Sequence, residues 1–338
     1  MRPKLVYIGF CYPHHRNTQA GYNNIKEYLK YDYIIDCNNE MDFIGTPPKS
    51  LTKRIARKLY RMTFGVGAPL NILKCVFYSM FHRNVVFHFI YPEMTFKWFH
   101  HFKFGNKIVF TIHQPFEKLI KSSLDKYVCQ ADALILMSVE DKERIVQRYG
   151  IEKVEFIPHG INCSFYKPAS DVQKKEQICM VGSWLRNFDL ASDVFNMLHK
   201  HHPSLIFKVV TARDNFEKLP SYVQKYTGIT DDELLNIYRE SQCVYLPLYQ
   251  FTANNAVLEA AATGCQLVIA SDDINRSYFS DAEVYYCNSC RDKSISSIEQ
   301  VVYAGLTKDS NLLRTNIVDL YSWEVIAERT KNFLTSEL

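Results

Sequence analysis

Phe251-Thr-Ala-Asn-Asn-Ala-Val-Leu-Glu259-Ala-Ala-Ala-Thr-Gly264-Cys-Gln-Leu-Val-Ile-Ala-Ser-Asp272 is the stretch on which the reading of the chain turns. Its polar opening, Thr252, Asn254 and Asn255, gives way to a helical run over residues 256–263 that holds one acid, Glu259. Gly264 stands where a helix C-terminus favours a residue free to take the left-handed conformation. Residues 266–270 follow as an apolar strand that closes on Asp272 and Asp273. The N-terminus of such a helix presents unpaired N–H groups and a partial positive charge, which suits phosphate. A carboxylate about one turn further along is within reach of a ribose hydroxyl. In outline this is a nucleoside-diphosphate site. On these residues alone, an ordinary α/β unit with a solvated Glu259 is the alternative.

Working outward, 338 residues are enough for two domains. A composition of 47% hydrophobic and 22% charged residues is that of an ordinary soluble globular protein. The ten cysteines are scattered. Cys287-x-x-Cys290 lacks the second pair that a structural metal site needs, so no metal is expected and free thiols point to a reducing cytosol. Residues 5–9 read as a strand directly behind Met1-Arg-Pro-Lys, so no signal peptide is expected. The most apolar region, residues 69–91, is interrupted by Lys74, His82 and Arg83 and falls short of a membrane span. The net charge of +4 hides an asymmetry. Residues 1–168 hold 24 Lys and Arg against 14 Asp and Glu, and residues 169–338 hold 16 against 22. A basic first half leads one to expect an anionic partner for it.

In that half, residues 4–9 read as a first strand. The loop behind it carries His14, His15 and Arg16 and ends at Gly21, with a helix expected over residues 22–30. Strand, loop and helix in this order form the first unit of a doubly wound sheet, where ligands gather at the carboxyl ends of strands; a plain loop is the alternative. Behind Pro47-Pro48, Leu51, Ile55, Leu59 and Met62 recur at helical spacing, while Lys49, Lys53, Arg54, Arg57, Lys58 and Arg61 cover the other faces. No acid occurs between Asp42 and Glu93. A basic amphipathic helix of this kind reads as a membrane-surface element. The alternative is a helix whose apolar stripe packs on its own domain. No base-reading motif accompanies the patch, so nucleic acid is not the expected partner. Strands are expected at 84–90, 107–112 and 131–137. The second of these ends at His113, a position suited to function, whereas His88 within its strand reads as core. Ser138 is expected to cap an acid-rich helix start.

The opening stretch, with its polar turn, Leu-Glu-Ala helix and Gly ahead of an apolar strand, resembles the donor-sugar signature of GT-B glycosyltransferases of the family 4 type. Pro158-His-Gly-Ile-Asn162 resembles the hinge between the two domains of that family. Gly228-Ile-Thr230-Asp-Asp-Glu233-Leu resembles its nucleotide-side turn and helix, with Thr230 as N-cap and Glu233 as capping-box partner. Tyr321-Ser-Trp-Glu resembles its final helix. These motifs follow the family's order across most of residues 105–335, whereas residues 1–100 match in layout only. The resemblance implies an α/β chain of two Rossmann-like doubly wound domains facing a central cleft. Residues 1–168 would form the acceptor side, 169–320 the nucleotide-sugar donor side, and 321–338 a helix crossing back to the first domain.

It further implies transfer of a sugar from a nucleotide-diphosphate sugar to a glycan or lipid-linked acceptor, with retention and without metal or other cofactor. The setting would be polysaccharide or glycolipid biosynthesis, in the cytoplasm and peripheral to the inner face of an anionic membrane through Lys53, Arg54, Arg57, Lys58 and Arg61. By resemblance His113 faces the donor sugar and acts with Glu259. Ser183, Arg186, Gly228, Thr252, Asn254, Asn255 and Glu259 would hold the donor, and His14 and Gly21 would belong to the acceptor-side loop. The chain departs from the pattern in two places. Ser183 stands where an Arg is common and Phe188 near the usual Lys, which leaves Arg186 as the cation in reach of the diphosphate. Phe251 replaces a second Glu expected eight positions before Glu259, so Asn254 and Asn255 are expected to take over sugar recognition. The competing readings are a GT-B sugar-nucleotide epimerase and a non-catalytic, nucleotide-sugar-binding subunit.

Overall fold

Short apolar runs recur along both halves of the chain, and in the computed structural model they become parallel strands, most of them buried. The structure describes residues 2–16, 18–45, 50–64, 69–250, 254–272 and 276–336. By contacts the chain divides into two units. One comprises Met1–Arg16, Gly21–Pro158 and Ile326–Leu338, the other Asn17–Ala20 and His159–Val325.

The first unit holds β1 (Lys4–Gly9), β2 (Tyr33–Asp36), β3 (Val85–Phe89), β4 (Lys107–Ile112), β5 (Ala133–Leu136) and β6 (Val154–Phe156). They pair in the order β2-β1-β3-β4-β5-β6, every pairing parallel. Parallel pairing requires crossovers that cover both faces, and β3 is buried along its whole length. His88 lies inside it as a core residue. Its ring nitrogens meet the Tyr31 hydroxyl at 2.8 Å and Thr111 Oγ1 at 2.7 Å, and burial holds its pKa down at about 3.

The second unit holds β7 (Lys175–Val181), β8 (Ile206–Val210), β9 (Gln224–Tyr226), β10 (Ser241–Pro247), β11 (Gln266–Ala270) and β12 (Tyr285–Tyr286). Their order is β12-β11-β10-β7-β8-β9, again parallel throughout. Ile178, Met180, Phe195, Val209, Tyr245 and Val268 form part of its core. In each sheet the strand order reverses once, between β1 and β3 and between β7 and β10. Doubly wound sheets open a crevice for ligands outside the carboxyl ends of the strands at that reversal.

Two local expectations need correction. The helix expected over 22–30 is a 3₁₀ turn, Tyr22–Asn24, followed by a single turn, Ile25–Tyr28. Buried Leu29 already has extended backbone, and Asp32 N–H bonds to Leu5 O at 2.8 Å, because the chain must here begin to pair with β1. Ser138 is not a helix cap. Its hydroxyl donates to Glu140 Oε2 at 2.7 Å, and the helix runs Lys142–Tyr149 with Asp141 at its N-cap. The Asp141 carboxylate accepts instead from Phe116 N–H at 3.1 Å.

The capping box at Thr230 has both arms. Thr230 Oγ1 accepts from Glu233 N–H at 3.2 Å and Glu233 Oε2 accepts from Thr230 N–H at 2.7 Å, which starts the helix Asp231–Glu240. The segment expected to be a hinge is laced to Tyr321 and Trp323: Ile161 N–H bonds to Tyr321 O and Trp323 N–H to Ile161 O. Gly160 faces the buried Trp323 ring so closely that a Cβ there would come within 2.2 Å of it.

Candidate functional site

The reversal of the second sheet is where the donor-side residues fall. β10 runs out at Pro247 and the helix Asn255–Ala262 begins soon after it, so the N-terminus of that helix opens at the carboxyl end of the sheet. The loop behind β7 is stitched to the end of β10, with Asn187 N–H bonded to Pro247 O and Tyr249 N–H to Leu185 O, each at 3.0 Å. Within that loop Gly182 and Leu185 have positive φ, 99° and 57°. The path curls around the buried Arg186 guanidinium. Nε donates to Val181 O at 2.8 Å, Nη1 to Trp184 O at 3.0 Å and Nη2 to Asn254 Oδ1 at 3.1 Å. A Cβ on Gly182 would lie 2.7 Å from Nη2, so this position requires glycine. Burial lowers the Arg186 pKa to about 10, which leaves it charged at neutral pH.

Asn254 occupies the N-cap position yet makes no side-chain cap, since its oxygen serves Arg186. Among the described residues this helix N-terminus has no side-chain cap and lies beside a fixed cation, an arrangement that attracts an anion. Asn255 is the first helical residue. Glu259 follows in the second turn, 3% exposed, with Oε2 accepting from the Tyr238 hydroxyl at 2.9 Å. Burial pushes its pKa up to about 7 against the Tyr238 bond; Asp231 raises it further, while Tyr166 and Arg186 lower it. Ser183 is drawn to another strand end. Its hydroxyl pairs with Thr211 Oγ1 and accepts from Ala212 N–H, both at 2.9 Å, which ties together the loops behind β7 and β8. Gly228 has φ +64° with no atom near its missing side chain, so its requirement is conformational. Phe251, Thr252 and Asp273 lie outside the described residues.

In the first unit, His113 follows β4 directly. Its Nε2–H donates to Ile90 O at 2.8 Å, and its ring sits 4.9 Å from Tyr22 and 4.8 Å from Tyr91. Burial holds its pKa down at about 4, so the imidazole is neutral at physiological pH and presents Nδ1 as an acceptor. Gly21 has φ +102°, and a Cβ there would lie 2.6 Å from Asn23 Oδ1. His14 lies in the turn Pro13–His15; its side chain is not described. The aromatic shell of His113 escaped the sequence reading, because nothing in spacing assigns Tyr22 or Tyr91 to the same strand ends.

The basic helix spans Leu51–Phe64. Of its apolar stripe, Leu51, Ile55 and Leu59 are 69%, 51% and 58% exposed, and the side chain of Met62 is not described. Lys53, Arg54 and Lys58 are also exposed and Arg57 is half-buried, while the side chain of Arg61 is not described. Buried Tyr60 anchors the helix through its hydroxyl, which donates to Glu40. Glu40 also accepts from Leu70 N–H at 2.7 Å and Asn71 N–H at 3.0 Å, at the start of the helix Pro69–Phe81. Among the described residues no helix is long and apolar enough to cross a membrane, and no group of three His, Cys, Asp or Glu could hold a metal ion.

No protein-family model matches the chain. The chain is similar to a subunit of phosphatidylinositol N-acetylglucosaminyltransferase from Arabidopsis thaliana, 24% identical over 252 residues, covering 67% of this chain. It spans 56% of the length of that curated relative. Among solved structures it resembles a glycosyltransferase from Rickettsia africae, with a TM-score of 0.65 at 14% identity over the whole of both chains. It also resembles TarM of S. aureus, determined with UDP and α-GlcNAc-glycerol, with a TM-score of 0.61 at 16% identity over 79% of this chain and 59% of that one. The two six-stranded parallel sheets are those of the GT-B fold.

Proposed function

We propose that the protein is a glycosyltransferase that moves a sugar from a nucleotide-diphosphate sugar to a hydroxyl of a glycan or lipid-linked acceptor. The observation that carries this reading is the meeting of a helix N-terminus, Arg186 and Glu259 at the strand reversal of the second sheet. When the bond between the anomeric carbon and the diphosphate breaks, negative charge grows on the leaving group. Arg186 and the free N–H groups of the helix Asn255–Ala262 supply fixed positive charge for it without reorganisation, the kind of preorganised stabilisation that dominates such reactions. Glu259 is the hydrogen-bond acceptor for the ribose. No step of this scheme calls for a metal, and retention of configuration rests on the family resemblance. Residues 1–168 would serve the acceptor and 169–320 the donor, with His113 turned to the sugar. A lipid acceptor is supported by the name of the Arabidopsis relative and by the exposed basic helix, which we assign to anionic membrane.

The test is incubation of the protein with radiolabelled UDP-, GDP- and ADP-sugars and a membrane lipid extract. Labelled glycolipid or glycan from one donor is the expected result. Donor binding with no transfer or hydrolysis in any pool would leave a binding subunit. Interconversion of free nucleotide-sugars would make it an epimerase.

A further inference from the structure

Glu93 is the only acid between Asp42 and Glu117, a stretch that holds eleven Lys and Arg. A carboxylate in so cationic a sequence ordinarily finds an ion pair. Among the described residues Glu93 makes none, nor does its side chain bond to another side chain. It is half-buried, in the turn Pro92–Thr95 that follows β3. β3 and β1 flank the strand reversal of the first sheet, the place where a doubly wound sheet receives its ligand. From the carboxyl end of β1, Tyr12 comes to the same place: its ring packs edge-on against Tyr91 at 5.2 Å and Phe10 at 4.7 Å. Glu93 lies near enough to raise the Tyr12 phenol's pKa, after burial itself. Tyr91 in turn lies against His113, 4.8 Å between ring centroids. Three neighbouring strands, β1, β3 and β4, thus deliver Tyr12, Glu93 and His113 to one connected aromatic surface. Tyrosine rings pack on the C–H faces of polyols and sugars, and a carboxyl binds their hydroxyls.

We propose that Glu93 and Tyr12 form the hydroxyl-recognition end of an acceptor subsite, with the Glu93 carboxyl accepting a hydrogen bond from the acceptor's attacking hydroxyl. The assignment of this hydroxyl as the attacking one rests on the transferase reading. Burial pushes the Glu93 carboxyl up to about 7, against a bond from its own backbone N–H, which fits a group left without a cation. The ligand class is a polyol or glycoside presenting vicinal hydroxyls.

Saturation-transfer NMR on the full chain tests this, with glycerol, myo-inositol and methyl α-glucoside as probes. Wild type, Glu93→Gln and Glu93→Ala are compared, and thermal midpoints confirm that the variants fold. At least one probe is expected to receive saturation from wild type, with the signal down fivefold or more in Glu93→Ala and by an intermediate amount in Glu93→Gln, which retains a carbonyl acceptor. UDP, GDP or ADP binding is expected to be equal in all three. Equal probe signals in the three proteins, or no probe contacting wild type, would overturn the proposal. Failure of the transferase reading looks different: the probes bind through Glu93 while no nucleotide-sugar binds or is consumed.

Discussion

At Glu259 burial and ionisation are opposed. A carboxyl that is 3% exposed, with no ion pair among the described residues, is costly to ionise, and its pKa rises to about 7. An acid whose folded pKa is raised binds its proton more tightly folded than unfolded. Its penalty is therefore absent below the unfolded value near 4.5, grows as pH rises toward 7, and is complete above it. Glu259→Gln, which keeps the acceptor for Tyr238, should be more stable than wild type at pH 8 by about 3 kcal/mol and about equal to it at pH 4.5. Urea unfolding at the two pH values checks this, and a difference that does not change with pH would refute the burial account. Glu259 was legible in the sequence because one acid stands alone in an alanine-rich turn before Gly264. The posture of Arg186 was not. It depends on Leu185 accepting positive φ and on Asn254 giving up its cap, and neither leaves a mark in a residue pattern.

At the scale of elements, one chemically local signal, the capping box, was read correctly. The capping box needs only Thr230 and Glu233 three residues apart, and both bonds form. Thr230→Ala should cost about 1 kcal/mol, measured as a shift in unfolding midpoint; a change under a few tenths would mean that the helix Asp231–Glu240 is held by packing alone. Ser138 failed as a cap because its hydroxyl turns to Glu140 two residues on, while the helix starts at Asp141, whose carboxylate is held by a bond from Phe116 N–H that the local pattern does not show. The basic helix Leu51–Phe64 was legible as amphipathic, but the direction of its stripe was not. Glu40 decides that by holding Tyr60 and the start of the next helix on the inner side, which leaves Leu51, Ile55 and Leu59 outside. An apolar stripe flanked by cations fits anionic lipid, at about 1 kcal/mol per cation near the surface. Co-sedimentation should bring the protein down with phosphatidylserine vesicles and not with phosphatidylcholine vesicles. Neutralising Lys53, Arg54, Arg57, Lys58 and Arg61 together should abolish it. Equal binding to both vesicles, or retention by the neutralised variant, would remove the membrane assignment.

For the whole molecule, strand, loop and helix in order pointed to the first unit of one doubly wound sheet, and the pair of such domains followed from the resemblance carried by the motifs of residues 105–335; parallel strands separated by crossovers have few other arrangements. Which chain segments group together was less legible. Asn17–Ala20 follows the first strand yet belongs by its contacts to the second unit, where Gln19 N–H bonds to Asp231 Oδ2 at 2.5 Å and Gln19 Oε1 accepts from Asn162 at 2.7 Å. Such pairings join residues far apart in sequence and leave no periodic trace. In each sheet the strand reversal is where doubly wound folds receive their ligands.

The central claim is that a nucleotide-sugar binds the second unit through Glu259 and the Arg186-flanked helix start. Isothermal titration of UDP-, GDP- and ADP-sugars into wild type and Glu259→Ala tests it most directly. One donor class should bind wild type saturably, and the variant should bind it at least tenfold more weakly while remaining folded. Binding of equal strength to both proteins, or no binding of any donor to wild type, would contradict the account.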